Sequence, residues 1–241
     1  MPGIELAGAT LTAIDFETTG SVPGWPNEPW QIGLYEFTLP ANPSSAPSSS
    51  CQRSPCPSGV SSPSCRRSPD PSSTPSPSCR RSPLDCASAG CGVRSPALFT
   101  SLLRVAPDRP FNRYAPGRHA LRRHEIAAAP SLPELWEELA PRLRGRPLVA
   151  HNAGTERTIL RAAAPLDRLG PWIDTLSLAR TILPGRTSYA LEDLAPSLGL
   201  APTIAALAPS LAPHDALYDA VACGELLRLF FTNGLSFCPT T

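Results

Sequence analysis

Apolar and polar positions along the chain switch between two periods. Residues 11–16 (LTAIDF) alternate with a period of two, as a strand with one buried face does. The stretch 30–37 (WQIGLYEF) predicts a second strand and 97–105 a third. Ser131 and Glu134 form a capping box ahead of the helical stretch LPELWEELAPRL. A short strand is expected over 147–150, then a helix from about Gly154. Residues 172–173 read as an edge strand, with helices near 175–183 and 189–198. The last helix is expected over 215–231, with Ala220, Cys223, Leu227 and Phe230 on one stripe. Three strands in succession, followed by alternating helices and short strands, predict an α/β fold: a mixed sheet flanked by helices.

Residues 40–96 break this pattern. Ser, Pro, Cys and Arg dominate, and CQRSP at Cys51 recurs as CRRSP at Cys65 and Cys79. Such a segment buries too little apolar surface to offset its ordering entropy, so a disordered low-complexity insertion is expected there. It carries six of the eight cysteines of the chain. Zinc is not favoured, because the segment has neither a C-x-x-C pair nor a histidine. The expected organisation is one domain built from 1–39 and 97–241, with 40–96 lengthening a hairpin connection.

Net charge is +1, so no bulk basic field marks a nucleic-acid binder. The distribution is uneven. Residues 1–50 have no Lys or Arg but carry Glu5, Asp15, Glu17, Glu28 and Glu36, whereas ten Arg fall within 100–160. The pattern suits a metal site beside a phosphate-binding rim. The N-terminal stretch has no basic start and no long apolar run, so no signal peptide and a cytoplasmic location are expected. The longest uncharged run, 194–213, contains Pro196, Pro202, Pro209 and Pro213. It predicts a packed loop and short helix rather than a membrane span.

Three segments carry acids on faces that should turn inward. On the first strand Asp15 and Glu17 point the same way, because side chains alternate. Two like charges so placed resist burial, and a divalent cation removes that conflict. The following Thr18-Thr19-Gly20 offers small side chains and backbone N–H groups for a nucleotide end. In LVAHNAGTERTIL, a strand runs into His151-Asn152, and Glu156 then shares a helix face with Ile159, Leu160 and Ala163. In PHDALYDAVACGELL, His214 precedes Asp219 by five residues, and Asp219 lies on a face with Ala216, Ala222, Cys223 and Leu226.

In order, AIDFETTG, VAHNAGTERTIL and HDALYDA resemble the three motifs of the DEDDh (DnaQ-like) 3′–5′ exonucleases. That group includes proofreading subunits, ribonuclease T and oligoribonuclease. WIDTLSLAR and YALEDLAPSLGL are also similar to family sequences. Relatives that use Tyr in place of His put it four residues before the last Asp. That position is Asp215 here, and His214 matches the His subfamily. One departure is Thr155-Glu156, where the family has Phe-Asp.

The resemblance implies a ribonuclease H-like fold and a two-metal hydrolase releasing nucleoside 5′-monophosphates from a free, single-stranded 3′ end. It implies two Mg²⁺ or Mn²⁺ ions, with Asp15, Glu17, Glu156 and Asp219 as ligands. His214 is the expected general base. Thr18, Thr19, Gly20, His151 and Asn152 are the expected substrate contacts, and Arg residues from the middle of the chain the contacts to upstream phosphates. Asp174 reads as a structural or capping acid. The rival reading is a non-catalytic nucleic-acid- or polymerase-binding module of the same fold. DNA and RNA both remain open as substrate.

Overall fold

The computed structural model describes residues 6–40, 96–115, 117 and 119–233. The expected disorder of the insertion therefore concerns residues that lie almost wholly outside the described ones.

The sheet has five strands: β1 (Thr10–Thr18), β2 (Pro29–Thr38), β3 (Ala97–Leu102), β4 (Leu148–Ala150) and β5 (Trp172–Asp174). Their order is β3-β2-β1-β4-β5. The first three strands pair antiparallel, while β4 runs parallel to β1 and β5 parallel to β4. This is the expected mixed sheet, with β5 at its edge.

Alternation along the strands sends two sets of side chains to opposite faces. Leu11, Ala13, Tyr35 and Phe37 pack under α4 (Thr175–Ile182), α5 (Leu191–Ser197), α6 (Ala201–Leu207) and α7 (Ala216–Thr232). Ile14, Phe16, Ile32 and Leu34 pack against α2 (Trp136–Leu143) and α3 (Gly154–Ala163). α7 is the main lid of the first face. Leu226, Leu227 and Phe230 are buried on it, each contributing about 1.5–3 kcal/mol by leaving water.

Local details differ in places from the expectation. The Ser131–Glu134 box closes, with the Ser131 N–H donating to Glu134 Oε2 at 2.6 Å. The box organises a turn, however, and α2 starts only at Trp136. The uncharged proline-rich run breaks between α5 and α6, with a proline in the first turn of α6. No described helix is long and apolar enough to cross a membrane. A 3₁₀ turn at His119–Arg122 and α1 (Arg123–Ala128) were not anticipated. Ile126 alone anchors this short helix against Trp30 and Val105, and one apolar residue leaves no periodicity to read.

Candidate active site

β1 and β4 are parallel, so their C-terminal ends open on the same edge of the sheet. Asp15 and Glu17 stand near the end of β1, on the face covered by α7. Asp15 pairs across the sheet with Gly33 of β2. Gly33 decides how close α7 can come. A Cβ there would lie 2.2 Å from the carbonyl carbon and oxygen of Ala216 and 2.3 Å from the Leu217 nitrogen. The first turn of α7 thus rests on bare strand backbone next to Asp15.

Asp215 fixes that turn. One carboxylate oxygen accepts from the Leu217 N–H at 3.1 Å, capping α7, and the other accepts from Gln31 Nε2 at 3.1 Å. Asp219, one turn on, is thereby aimed at β1. Its carboxylate accepts the backbone N–H of His214 at 3.0 Å. His214 holds a left-handed backbone, φ 65°, which is rare for a residue with a side chain. Glu17, His214 and Asp219 offer donor atoms within 4.8 Å of one another. The His214 ring also meets Glu192 of α5, with Nε2 2.9 Å from a carboxylate oxygen.

Glu156 enters from the other side, in the first turn of α3. It is 4% exposed, and its Oε2 has no hydrogen-bond partner. Asp15, Glu17, Glu156, Asp219 and His214 all line one cleft of about 450 Å³. The four acids expected from three separate segments converge there.

Their electrostatics are unfavourable as they stand. Burial, reinforced by Asp219, Glu156, Glu17 and Asp215, holds Asp15 well above the usual carboxylate range. Burial, then Asp219 and Asp215, lifts Glu17 to about 8. Burial lifts Glu156 to about 7. Burial also raises Asp219 to about 6, against the lowering effect of the His214 N–H. None of the four pairs with an arginine among the described residues. Crowded, unpaired carboxylates with an orphaned buried oxygen fit a divalent cation, and the donors are the hard oxygens that Mg²⁺ or Mn²⁺ prefers.

The other expected site residues divide. Thr18, Gly20, His151 and Asn152 line the cleft. Thr19 does not. It is fully buried, and its hydroxyl accepts from the Glu28 N–H and from Arg109 Nη2, each at 3.1 Å. Arg109 is itself buried, donates to the Pro26 carbonyl and lies over Trp25, so Thr19 and Arg109 pin the 19–28 loop. Both His151 nitrogens are taken, by the Thr175 hydroxyl at 3.0 Å and the Tyr189 carbonyl at 2.9 Å, which leaves the cleft only the ring edge. Burial lowers its pKa, keeping it neutral. Asn152 is another left-handed residue, φ 68°, and its N–H donates to Asp174. Asp174 caps α4 through the Leu176 and Ser177 N–H groups, the capping role expected of it.

Two features had not been singled out. Gly33 had a legible signal, a glycine inside an apolar strand. Asn112 and Tyr114 line the cleft from a loop with no motif, Tyr114 being 76% exposed. The basic middle of the chain is less available than its count implies. Arg104, Arg109, Arg122, Arg142, Arg144 and Arg146 all pair with carboxylates.

No protein-family profile matches the chain. A DNA polymerase III subunit epsilon-like protein of Rhodobacter capsulatus is 32% identical over 129 residues, which is 52% of this chain and 18% of that protein. The chain therefore spans less than a fifth of that relative. Among solved structures, the nuclease domain of 3′hExo, a DEDDh family member bound to rAMP, superposes with TM-score 0.57 at 12% identity, covering 97% of each chain. Exonuclease X in complex with 5′ overhanging duplex DNA gives 0.50 at 21% identity, covering 94% of each. An E. coli ExoI–ssDNA complex gives 0.54 at 13% identity, covering 94% of this chain and 41% of that one. The fold is the ribonuclease H-like fold of the DEDDh 3′-exonucleases.

Proposed function

We propose that this chain, which folds as the DEDDh 3′-exonucleases do, is a divalent-metal-dependent 3′–5′ exonuclease acting on single-stranded nucleic-acid ends. The observation that carries this reading is the convergence of Asp15, Glu17, Glu156 and Asp219, unpaired and raised in pKa, beside His214. The four carboxylates would hold Mg²⁺ or Mn²⁺. When bound, the ions neutralise charge on the reacting phosphate and acidify a coordinated water.

The remaining work falls to the side chains of this chain. His214 takes the proton from the attacking water as general base. Glu17 accepts a hydrogen bond from the terminal 3′-OH. Thr18, Gly20 and Asn152 hold the terminal nucleotide at the cleft wall, Thr19 keeps the 19–28 loop in place, and the His151 ring edge closes the pocket. Hydrolysis releases a nucleoside 5′-monophosphate. Glu156 stands where the family has Asp, and its extra methylene, about 1.3 Å of reach, lets its carboxylate serve from the first turn of α3. Residues 1–39 and 97–241 form the catalytic domain, and 40–96 are an insertion. The name of the Rhodobacter capsulatus relative supports association with a polymerase.

The test is hydrolysis of matched 5′-labelled DNA and RNA oligonucleotides with Mg²⁺, Mn²⁺ or EDTA. A ladder shortening from the 3′ end, abolished by EDTA, is expected. Binding without cleavage would favour the non-catalytic module instead.

A further inference from the structure

We infer that Glu192 is the positioning residue of His214, fixing its ring so that one defined nitrogen faces the reacting water; this rests on the exonuclease reading above. Glu192 lies in the first turn of α5, and its Oε2 is 2.9 Å from His214 Nε2. It comes from a segment remote from all three acid motifs.

His214 needs such support. Its backbone is tied down, because its N–H binds the Asp219 carboxylate and its φ is 65°. Its side chain is 40% exposed, so without a partner the ring would turn freely into solvent. Glu192 restrains it. Nε2 lies 2.9 Å from the Glu192 carboxylate, whose charge favours the proton on that nitrogen and so leaves Nδ1 to accept one. A carboxylate that sets the tautomer and direction of a catalytic imidazole is a recurrent device in hydrolases.

Stability does not explain the pair. Both partners are about half exposed, and such ion pairs add little to folding. The opening of α5 is served by the neighbouring residue, since Asp193 accepts from the Ser188 hydroxyl at 2.6 Å. Glu192 has no other side-chain partner among the described residues. Its helix is anchored, because Leu194 and Ala195 just after it are buried in the same apolar cluster as Ala220 and Val221 of α7. The first turn of α5 and the turn that leads into α7 therefore meet at the 2.9 Å approach of Glu192 to His214.

The experiment compares the full chain with Glu192→Ala, Glu192→Asp and His214→Ala variants on the same oligonucleotide. Glu192→Ala is expected to lower kcat about tenfold with KM and melting temperature unchanged, and Glu192→Asp to recover part of the loss. Combined with His214→Ala, the Glu192→Ala change should add nothing, because the two act as one unit. Imidazole ¹⁵N spectra should show the Nε2–H tautomer of His214 in the wild type and a mixture in Glu192→Ala. Full kcat in Glu192→Ala, or a loss that adds to that of His214→Ala, overturns the inference while leaving the exonuclease reading intact. An inactive wild type overturns both.

Discussion

Gly33 and Ala216 meet backbone to backbone, with only 2.2 Å between where a Cβ on Gly33 would stand and the carbonyl group of Ala216. That contact brings the start of α7 down beside Asp15, and Asp219 with it. Further along, a glycine of α7 makes room for a side chain instead, since a Cβ on Gly224 would stand 2.6 Å from Tyr35 Cδ1 of the ring on β2. α7 lies across β2 on two missing side chains.

Gly33→Val should therefore injure both fold and site. Overpacking of this kind costs about 1–3 kcal/mol, more where backbone must move. Thermal melting should show the loss, and oligonucleotide hydrolysis should fall further than the fraction unfolded accounts for, because α7 is pushed off Asp15. A variant of wild-type stability and activity would contradict the close approach.

Asp15→Asn and Asp219→Asn should each reduce hydrolysis at least about a hundredfold while circular dichroism stays unchanged. In the absence of metal, and at a pH high enough to ionise these raised carboxyls, both should melt no lower than wild type, since each removes a charge from a crowded cluster. Full activity in either purified variant would sink the ligand assignment.

His214→Ala should cost at least about tenfold in kcat near neutral pH, as loss of a general base does, with oligonucleotide affinity retained. A variant as fast as wild type would remove His214 from that role.

The raised carboxyls also predict how stability depends on pH. Glu17, raised from 4.5 to about 8, and Glu156, raised from 4.5 to about 7, bind protons more tightly folded than unfolded. Their favourable contribution is complete below about pH 4.5 and is lost as pH rises through the folded values. The metal-free protein should thus melt at progressively lower temperature as pH increases over this window. Mg²⁺ or Mn²⁺ should raise the melting temperature more at about pH 8 than at about pH 5, because the ions bind the deprotonated acids. A flat profile, or an equal metal effect at both ends, would argue against the cluster as a cation site.

Deleting residues 44–95 should leave kcat and melting temperature nearly unchanged, because the acids, His214 and the other described residues that line the cleft come from outside that stretch. Loss of turnover in a well-folded deletion would give the repeat a part in catalysis.

Most of the fold was legible because its signals are local. The period-two alternation of 11–16 identified β1, the apolar run WQIGLYEF identified β2, and the stripe on 215–231 identified α7 to within a residue at each end. α1 escaped because Ile126 is its one buried residue.

The candidate donors were legible for the same reason. Alternation alone puts Asp15 and Glu17 on one face, and helical spacing turns Glu156 and Asp219 inward. The direction a side chain leaves its own strand or helix is set by backbone geometry within a few residues, so one sequence determines it. What that side chain then meets is not local. That Thr19 turns to Arg109 rather than to the cleft, that the arginines of the middle are mostly paired, and that Glu192 reaches His214 depend on how separate elements pack. Only the tertiary structure decides these, because each depends on spacing between segments far apart in the chain, such as the approach of α7 to β2 that the bare backbone of Gly33 permits.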